Sequence, residues 1–214
     1  MLIFAFMGCI IFDFDGTLAD TFSGIFATTQ ATLDKMGLPR TNEEQARKGI
    51  GLPLRDSLRI GGSIPEERIE EAVVIYRELF DGIAFDLATL FPGILEAVQE
   101  LSKRGVQMAI ASSRSGRSLH ILMERLGLKQ YIPNIFGVET VPQPKPNPDL
   151  VLHILDVLGA EPRQSLVIGD TTYDIEMGSR AGCYTCGVTW GNQTAAELAV
   201  ARPDYIIDDI HQIL

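Results

Sequence analysis

Residues 9–21 read CIIFDFDGTLADT. An apolar run ends in Asp13 and Asp15, with only Phe14 between them, and Gly16 and Thr17 follow at once. Alternate residues of a strand point to one face, so both acids share a face. Like charges that close repel, and each makes the other harder to ionise unless something positive intervenes. The apolar run lacks polar alternation, which predicts a strand buried on both sides. Glycine then lets the chain turn tightly, and backbone N–H groups exposed in such a turn bind oxyanions. Two carboxylates and a Gly-Thr turn at a strand end therefore suit a phosphate and metal site, with Gly16 and Thr17 as substrate contacts.

The rest of the chain continues the pattern. Further strands are predicted over 106–112, 134–139, 165–169, 183–189 and 204–208, with helices near 93–104, 116–126, 147–158, 172–181 and 194–201. Such alternation predicts an α/β fold, a Rossmann-like, doubly wound parallel sheet with helices on both faces. One segment breaks the rhythm. Between residues 18 and 84 only helical stretches occur (near 20–36, 42–48, 53–60 and 65–81), punctuated by Gly37, Pro39, Gly49, Gly51, Gly61, Gly62 and Pro65. The reading is a core domain of residues 1–17 and 85–214, with a small helical cap domain, 18–84, inserted after the first strand.

Composition limits the function. The 214 residues carry 28 acidic against 18 basic side chains, a formal net charge of -10. That balance disfavours nucleic acid and anionic membranes as partners, and an anionic substrate would need a local positive device. The N-terminal run MLIFAFMGCIIF lacks a basic flank and a small-residue cleavage site and is too short to span a bilayer, so a cytoplasmic protein is expected. Three cysteines, Cys9, Cys183 and Cys186, do not make a disulfide framework. Cys183 and Cys186 form C-x-x-C within an apparent strand, with no histidines at metal spacing, and are read as buried strand residues.

Other strand ends add chemistry. The strand 106–112 ends in Ser112 and Ser113 with Arg114 next, a hydroxyl able to donate to a phosphoryl oxygen. Lys145 sits in PQPKPNP, a loop whose prolines restrict the backbone. The strand 165–169 runs into GDTTYD, giving Asp170 and, one turn into the next helix, Asp174. Carboxylates without histidine or thiolate ligands suit Mg²⁺, a hard cation that bridges to phosphate.

DFDGT, the strand-ending Ser112, the lysine of KPNPD and GDTTYD, in this order, resemble the four motifs of the haloacid dehalogenase superfamily. The helical insertion, VTWGNQTAAEL and YIID resemble its phosphoglycolate phosphatase-like branch. The resemblance implies Asp13 as nucleophile and Asp15 as proton donor and then acceptor. Ser112 would bind the phosphoryl group, and Lys145 would neutralise charge. Mg²⁺ would be held by Asp13, the Asp15 carbonyl and Asp170, with Asp174 a further ligand or a partner of Lys145. Ser113 and Arg114 stand where many relatives carry Asn and Lys, and Arg55, in GIGLPLRDSL, lies in a region that resembles the branch's specificity loop. The implied activity is hydrolysis of a small phosphorylated metabolite, by default 2-phosphoglycolate, by a monomer or homodimer. A phosphomutase of the β-phosphoglucomutase type and an inorganic pyrophosphatase are the enzyme alternatives. A non-catalytic phospho-acceptor or binding module is the remaining one.

Overall fold

The computed structural model describes residues 7–214; the first six residues of the N-terminal apolar run lie outside the described residues. The chain divides into two compact units, one reaching to Ala19 and resuming over Leu90–Leu214, the other Asp20–Thr89.

The first unit opens with β1 (Cys9–Phe12). After it comes β2 (Ala19–Asp20), which pairs with β3 (Thr89–Leu90) once the second unit has been completed. That second unit is helical: α1 (Phe22–Met36), α2 (Glu43–Arg47), α3 (Leu54–Ile60) and α4 (Ile69–Ile83). Its interior is apolar, with Leu33 and Met36 of α1 and Ile69, Ala72, Val73, Tyr76 and Phe80 of α4 all buried.

From Leu90 the chain alternates. It runs through α5 (Ile94–Lys103), β4 (Gln107–Ala111), α6 (Gly116–Arg125), β5 (Asn134–Phe136), α7 (Asp149–Leu158), β6 (Ser165–Gly169), α8 (Thr172–Arg180), β7 (Tyr184–Val188), α9 (Ala195–Leu198) and β8 (Tyr205–Ile207). Six strands form one sheet in the order β5-β4-β1-β6-β7-β8, and every pairing in it is parallel. The doubly wound α/β expectation is met.

Both sheet faces are buried, as the unbroken apolar runs require. Cys9, Ile11, Ala109, Ala111 and Val167 pack with Leu150, Val151, Ile154 and Leu155 of α7 and with Met177 of α8. Ile10, Phe12, Met108, Ile110, Leu166 and Ile168 alternate with these and are equally buried. At about 25 cal/mol per Å², burying such side chains is the main term holding the sheet. The strands end up to three residues earlier than the sequence pattern suggests, because the residues just beyond them turn out of the sheet. Those residues build the site. No helix among the described residues is long and apolar enough to cross a membrane.

Candidate active site

The register of the sheet levels the strand ends. Phe12 lies beside Ile110 on one side and Ile168 on the other. One bond continues past the end of β1, from the Asp13 N–H to the Ile168 carbonyl at 2.8 Å, and another past β4, from the Ser112 N–H to the Phe136 carbonyl at 3.2 Å. Asp13, Ser112 and Asp170 are thus the first residues beyond β1, β4 and β6, at the carboxyl edge where the winding reverses and ligands of such sheets bind. Just after Asp15 the chain turns back, and the Gly16 N–H donates to the Ala19 carbonyl at 2.9 Å. Gly16 is needed twice over. Its φ is +89°, and a Cβ there would stand 2.2 Å from Asp170 Oδ2.

A buried ammonium joins two of the acids. Lys145 Nζ donates to Asp13 Oδ1 and Asp174 Oδ1, each at 2.6 Å. All three side chains are at most 4% exposed. Burial alone would push Lys145 towards neutrality, but the charges of Asp13 and Asp174 hold it above its ordinary range, so it stays an ammonium. Asp174 is positioned by its helix: Thr171 and Asp174 form a capping box at the start of α8. Asp174 Oδ2 accepts from the Thr171 N–H at 3.1 Å and from Oγ1 at 2.7 Å. With Oδ1 on Lys145, both Asp174 oxygens are engaged by the protein.

Asp170 is held differently. Its Oδ2 accepts from both the backbone N–H and Nδ2 of Asn192, each at 2.8 Å, and its Oδ1 from Thr17 Oγ1 at 3.2 Å. Burial and the nearby Asp174 charge nevertheless raise its carboxyl to about 7. Burial also raises Asp13 well above the usual carboxylate range, against the pull of Lys145. Asp13 Oδ2 is a buried oxygen with no hydrogen-bond partner. An orphaned carboxylate oxygen of that kind calls for an explanation, commonly an ion.

Oxygens of Asp13, Asp170 and Asp174 all lie within 4.8 Å of one another. Three buried carboxylates cluster here, Lys145 meeting two of them, and every donor is an oxygen, so the residues fit a hard divalent cation.

The remaining candidates divide. Thr17 is buried and fastened to Asp170, while its carbonyl accepts from Trp190 Nε1 at 3.0 Å. Ser112 is buried, and its Oγ accepts from the Arg114 N–H at 3.2 Å; Ser113 lies between them, half-buried. Arg114 grips Asp15: Nε donates to Oδ2 at 3.1 Å and Nη2 to Oδ1. Arg55 belongs to α3 in the helical unit, where it pairs with Glu66 at 2.6 Å and Glu70 at 3.2 Å.

Asn192 is a residue that sequence reasoning did not single out. It lies in WGNQT just past β7, and β7 adjoins β6 in the sheet. Nearby, a Cβ on Gly191 would stand 2.4 Å from both Asp170 Cβ and the Gly16 carbonyl, so only a glycine at 191 lets the loop approach Asp170 this closely. The cysteines, by contrast, are free and buried, and burial pushes their thiols up to about 11 for Cys9 and about 12 for Cys183 and Cys186. That suits inert packing residues.

A parallel α/β sheet with four aspartates and a buried lysine at its carboxyl edge is the frame of a hydrolase, and comparison with known proteins gives its family. The model of the haloacid dehalogenase-like hydrolases matches residues 10–188, and the chain belongs to that family. Relatives include a protein of Dickeya dadantii named "Probable phosphatase IndB", 34% identical over 96% of this chain and 91% of the relative. Pyrophosphatase PpaX of Oceanobacillus iheyensis is 32% identical over 96% and 94%. Phosphoglycolate phosphatase 1 of Pseudomonas aeruginosa is 29% identical over 96% and 78%. Among solved structures, a haloacid dehalogenase-like family hydrolase of Streptococcus pneumoniae superposes with a TM-score of 0.88 at 28% identity, covering 98% of this chain and 97% of that one.

Proposed function

We propose that the protein is a Mg²⁺-dependent phosphatase that hydrolyses a small organic phosphate monoester through an aspartyl phosphate on Asp13. The observation that carries this reading is the state of Asp13. Lys145 holds one of its oxygens, and the other is buried without a partner beside two further carboxylates.

In the first half-reaction an Asp13 oxygen attacks phosphorus, the ester P–O bond breaks, and Asp15 gives its proton to the departing oxygen. In the second, Asp15 takes a proton from water, the water oxygen attacks phosphorus, and the bond to Asp13 breaks to release phosphate. Lys145 neutralises the meeting of a carboxylate with an anionic ester, and Ser112 offers its hydroxyl to a phosphoryl oxygen. Mg²⁺ would be held by Asp13, Asp170 and the Asp15 carbonyl, and would supply charge neutralisation and orientation of the phosphoryl group. Asp174, with one oxygen on the Lys145 ammonium and the other on Thr171, is assigned to Lys145 rather than to the cation, whereas Asp170 meets only the neutral donors of Asn192 and Thr17. The site residues of this scheme are thus Asp13, Asp15, Ser112, Lys145 and Asp170, supported by Asp174, Thr17 and Asn192.

The default substrate is 2-phosphoglycolate, the compound named in the Pseudomonas aeruginosa relative. Inorganic pyrophosphate is the second reading, favoured by the 32% identity to PpaX across nearly its whole length. A panel of 2-phosphoglycolate, sugar phosphates, nucleotides, pyrophosphate and 4-nitrophenyl phosphate, assayed for released phosphate with and without Mg²⁺, tests this. Asp13→Asn is expected to lower turnover by at least about 10⁴-fold, the scale seen when a nucleophile is removed. Wild type no faster than Asp13→Asn with metal supplied would refute the reading.

A further inference from the structure

Arg114 enters the sequence reading as a substrate contact, yet the structure engages its guanidinium with the protein. Nε and Nη2 each donate to one oxygen of Asp15, and Nη1 donates to Ser118 Oγ at 3.0 Å. The Arg114 side chain is 9% exposed and that of Asp15 12%. Both ends of this arrangement are built in. The Arg114 N–H is tied to Ser112 Oγ at the end of β4, and Ser118 is placed by the Ser115 cap of α6. The pair also joins segments 99 residues apart in sequence.

A guanidinium fork meets a carboxylate through two parallel bonds and so fixes the plane of the carboxyl group, which a single ammonium does not do. Each Asp15 oxygen gives one lone pair to the fork and keeps another outside it. A proton carried on an outer lone pair then points in one set direction.

Resting on the phosphatase reading above, we infer that Arg114 is a positioning residue for Asp15. Its fork fixes the carboxyl plane, so that the proton leaves towards the ester oxygen as the P–O bond breaks and is later taken from the attacking water. The role is geometric, and charge alone does not fulfil it.

The test compares kcat/KM, which covers the steps up to phosphoryl transfer onto Asp13, for esters that differ in their need for a proton. Wild type, Arg114→Ala and Arg114→Lys are assayed with a simple alkyl phosphate, 4-nitrophenyl phosphate and 2,4-dinitrophenyl phosphate. Both variants are expected to lose about 10²-fold or more on the alkyl ester, and less than about fivefold on the dinitrophenyl ester, whose oxygen departs without protonation. In an Asp15→Asn background, Arg114→Ala should cost less than about threefold, since residues acting through one another are not additive. If Arg114→Ala fails to fold in a thermal melt, Arg114→Lys carries the comparison, because it keeps the positive charge and removes only the fork.

Equal losses on all three esters, an Arg114→Lys variant matching wild type, or full additivity with Asp15→Asn would each overturn the assignment. Wild type without turnover on any ester would instead sink the phosphatase reading, and this assignment with it.

Discussion

Both units carry exposed ion pairs, but among the described residues only the sheet unit also buries them. In the helical unit Arg55 reaches Glu66 and Glu70, and Lys35 reaches Glu78, with every one of these side chains at least 47% exposed. Solvent screens such pairs, and each contributes at most about 1 kcal/mol. In the sheet unit Lys145, Asp13 and Asp174 meet at 2.6 Å almost out of reach of solvent. Taking those charges out of water costs several kcal/mol per ion before their attraction returns any of it. Surface pairs of the first kind need no chemical purpose. An arrangement of the second kind, left with an orphaned carboxylate oxygen, is hard to explain by stability alone. Burial therefore separates the ion pairs that the proposed function uses from those it does not.

Removing the buried cation strains this contrast most. Lys145→Met leaves three close carboxylates with no lysine among them. Breaking a buried pair on one side costs about 3–5 kcal/mol, so the metal-free variant should unfold at clearly lower denaturant than wild type. Turnover should fall about 10²–10³-fold even where the variant is folded, since a charge aimed at the transition state is lost. A variant as stable and as active as wild type would erase the distinction between the two classes of pair.

A smaller effect is expected from Asn192→Ala. Asp170 Oδ2 loses the Nδ2 donor and keeps only the backbone N–H of residue 192, so its carboxylate is held less firmly, while no charge is removed. Residues that orient a ligand typically contribute about 10–100-fold in metal affinity. Titrating Mg²⁺ by calorimetry, or following the rise in melting temperature that Mg²⁺ produces, measures this directly. Unchanged affinity would mean that Asn192 only fastens a loop.

The residues of the site were unequally legible in the sequence. The sheet could be read because its strands are short apolar runs with no helical period, and Asp13, Asp15, Ser112 and Asp170 stand where such runs stop. Lys145 entered through the family resemblance, its prolines saying only that the loop is rigid. Whether Asp174 touches a cation or Lys145 could not, because its direction depends on α8 starting at Thr172 behind the Thr171 cap. Asn192 lay in a stretch noted only for its resemblance and was given no role, since an Asn after Trp-Gly becomes a site residue only once β7 lies beside β6. The Arg114–Asp15 pair was hidden likewise, its partners belonging to different loops. What escaped the sequence is thus pairing between loops, which follows from strand order rather than from any local pattern. The C-x-x-C shows the converse: Cys183 and Cys186 are three residues apart at a strand, an odd separation that points them to opposite faces.

The smallest effect belongs to Arg55. Its pairs with Glu66 and Glu70 are half in solvent, so Arg55→Ala should change unfolding free energy by no more than about 1 kcal/mol. Raising salt from about 0.05 to 1 M should shrink even that difference, because the Debye length falls to about 3 Å at the higher value. The same variant settles whether this guanidinium meets substrate. A residue holding a second anionic group of the substrate would raise KM for 2-phosphoglycolate, whose carboxylate it would bind, and leave KM for 4-nitrophenyl phosphate alone. A surface pair would move neither. A loss of stability of several kcal/mol would show that exposure does not govern the worth of ion pairs in this protein, and the contrast between its two units would fail at its weaker end.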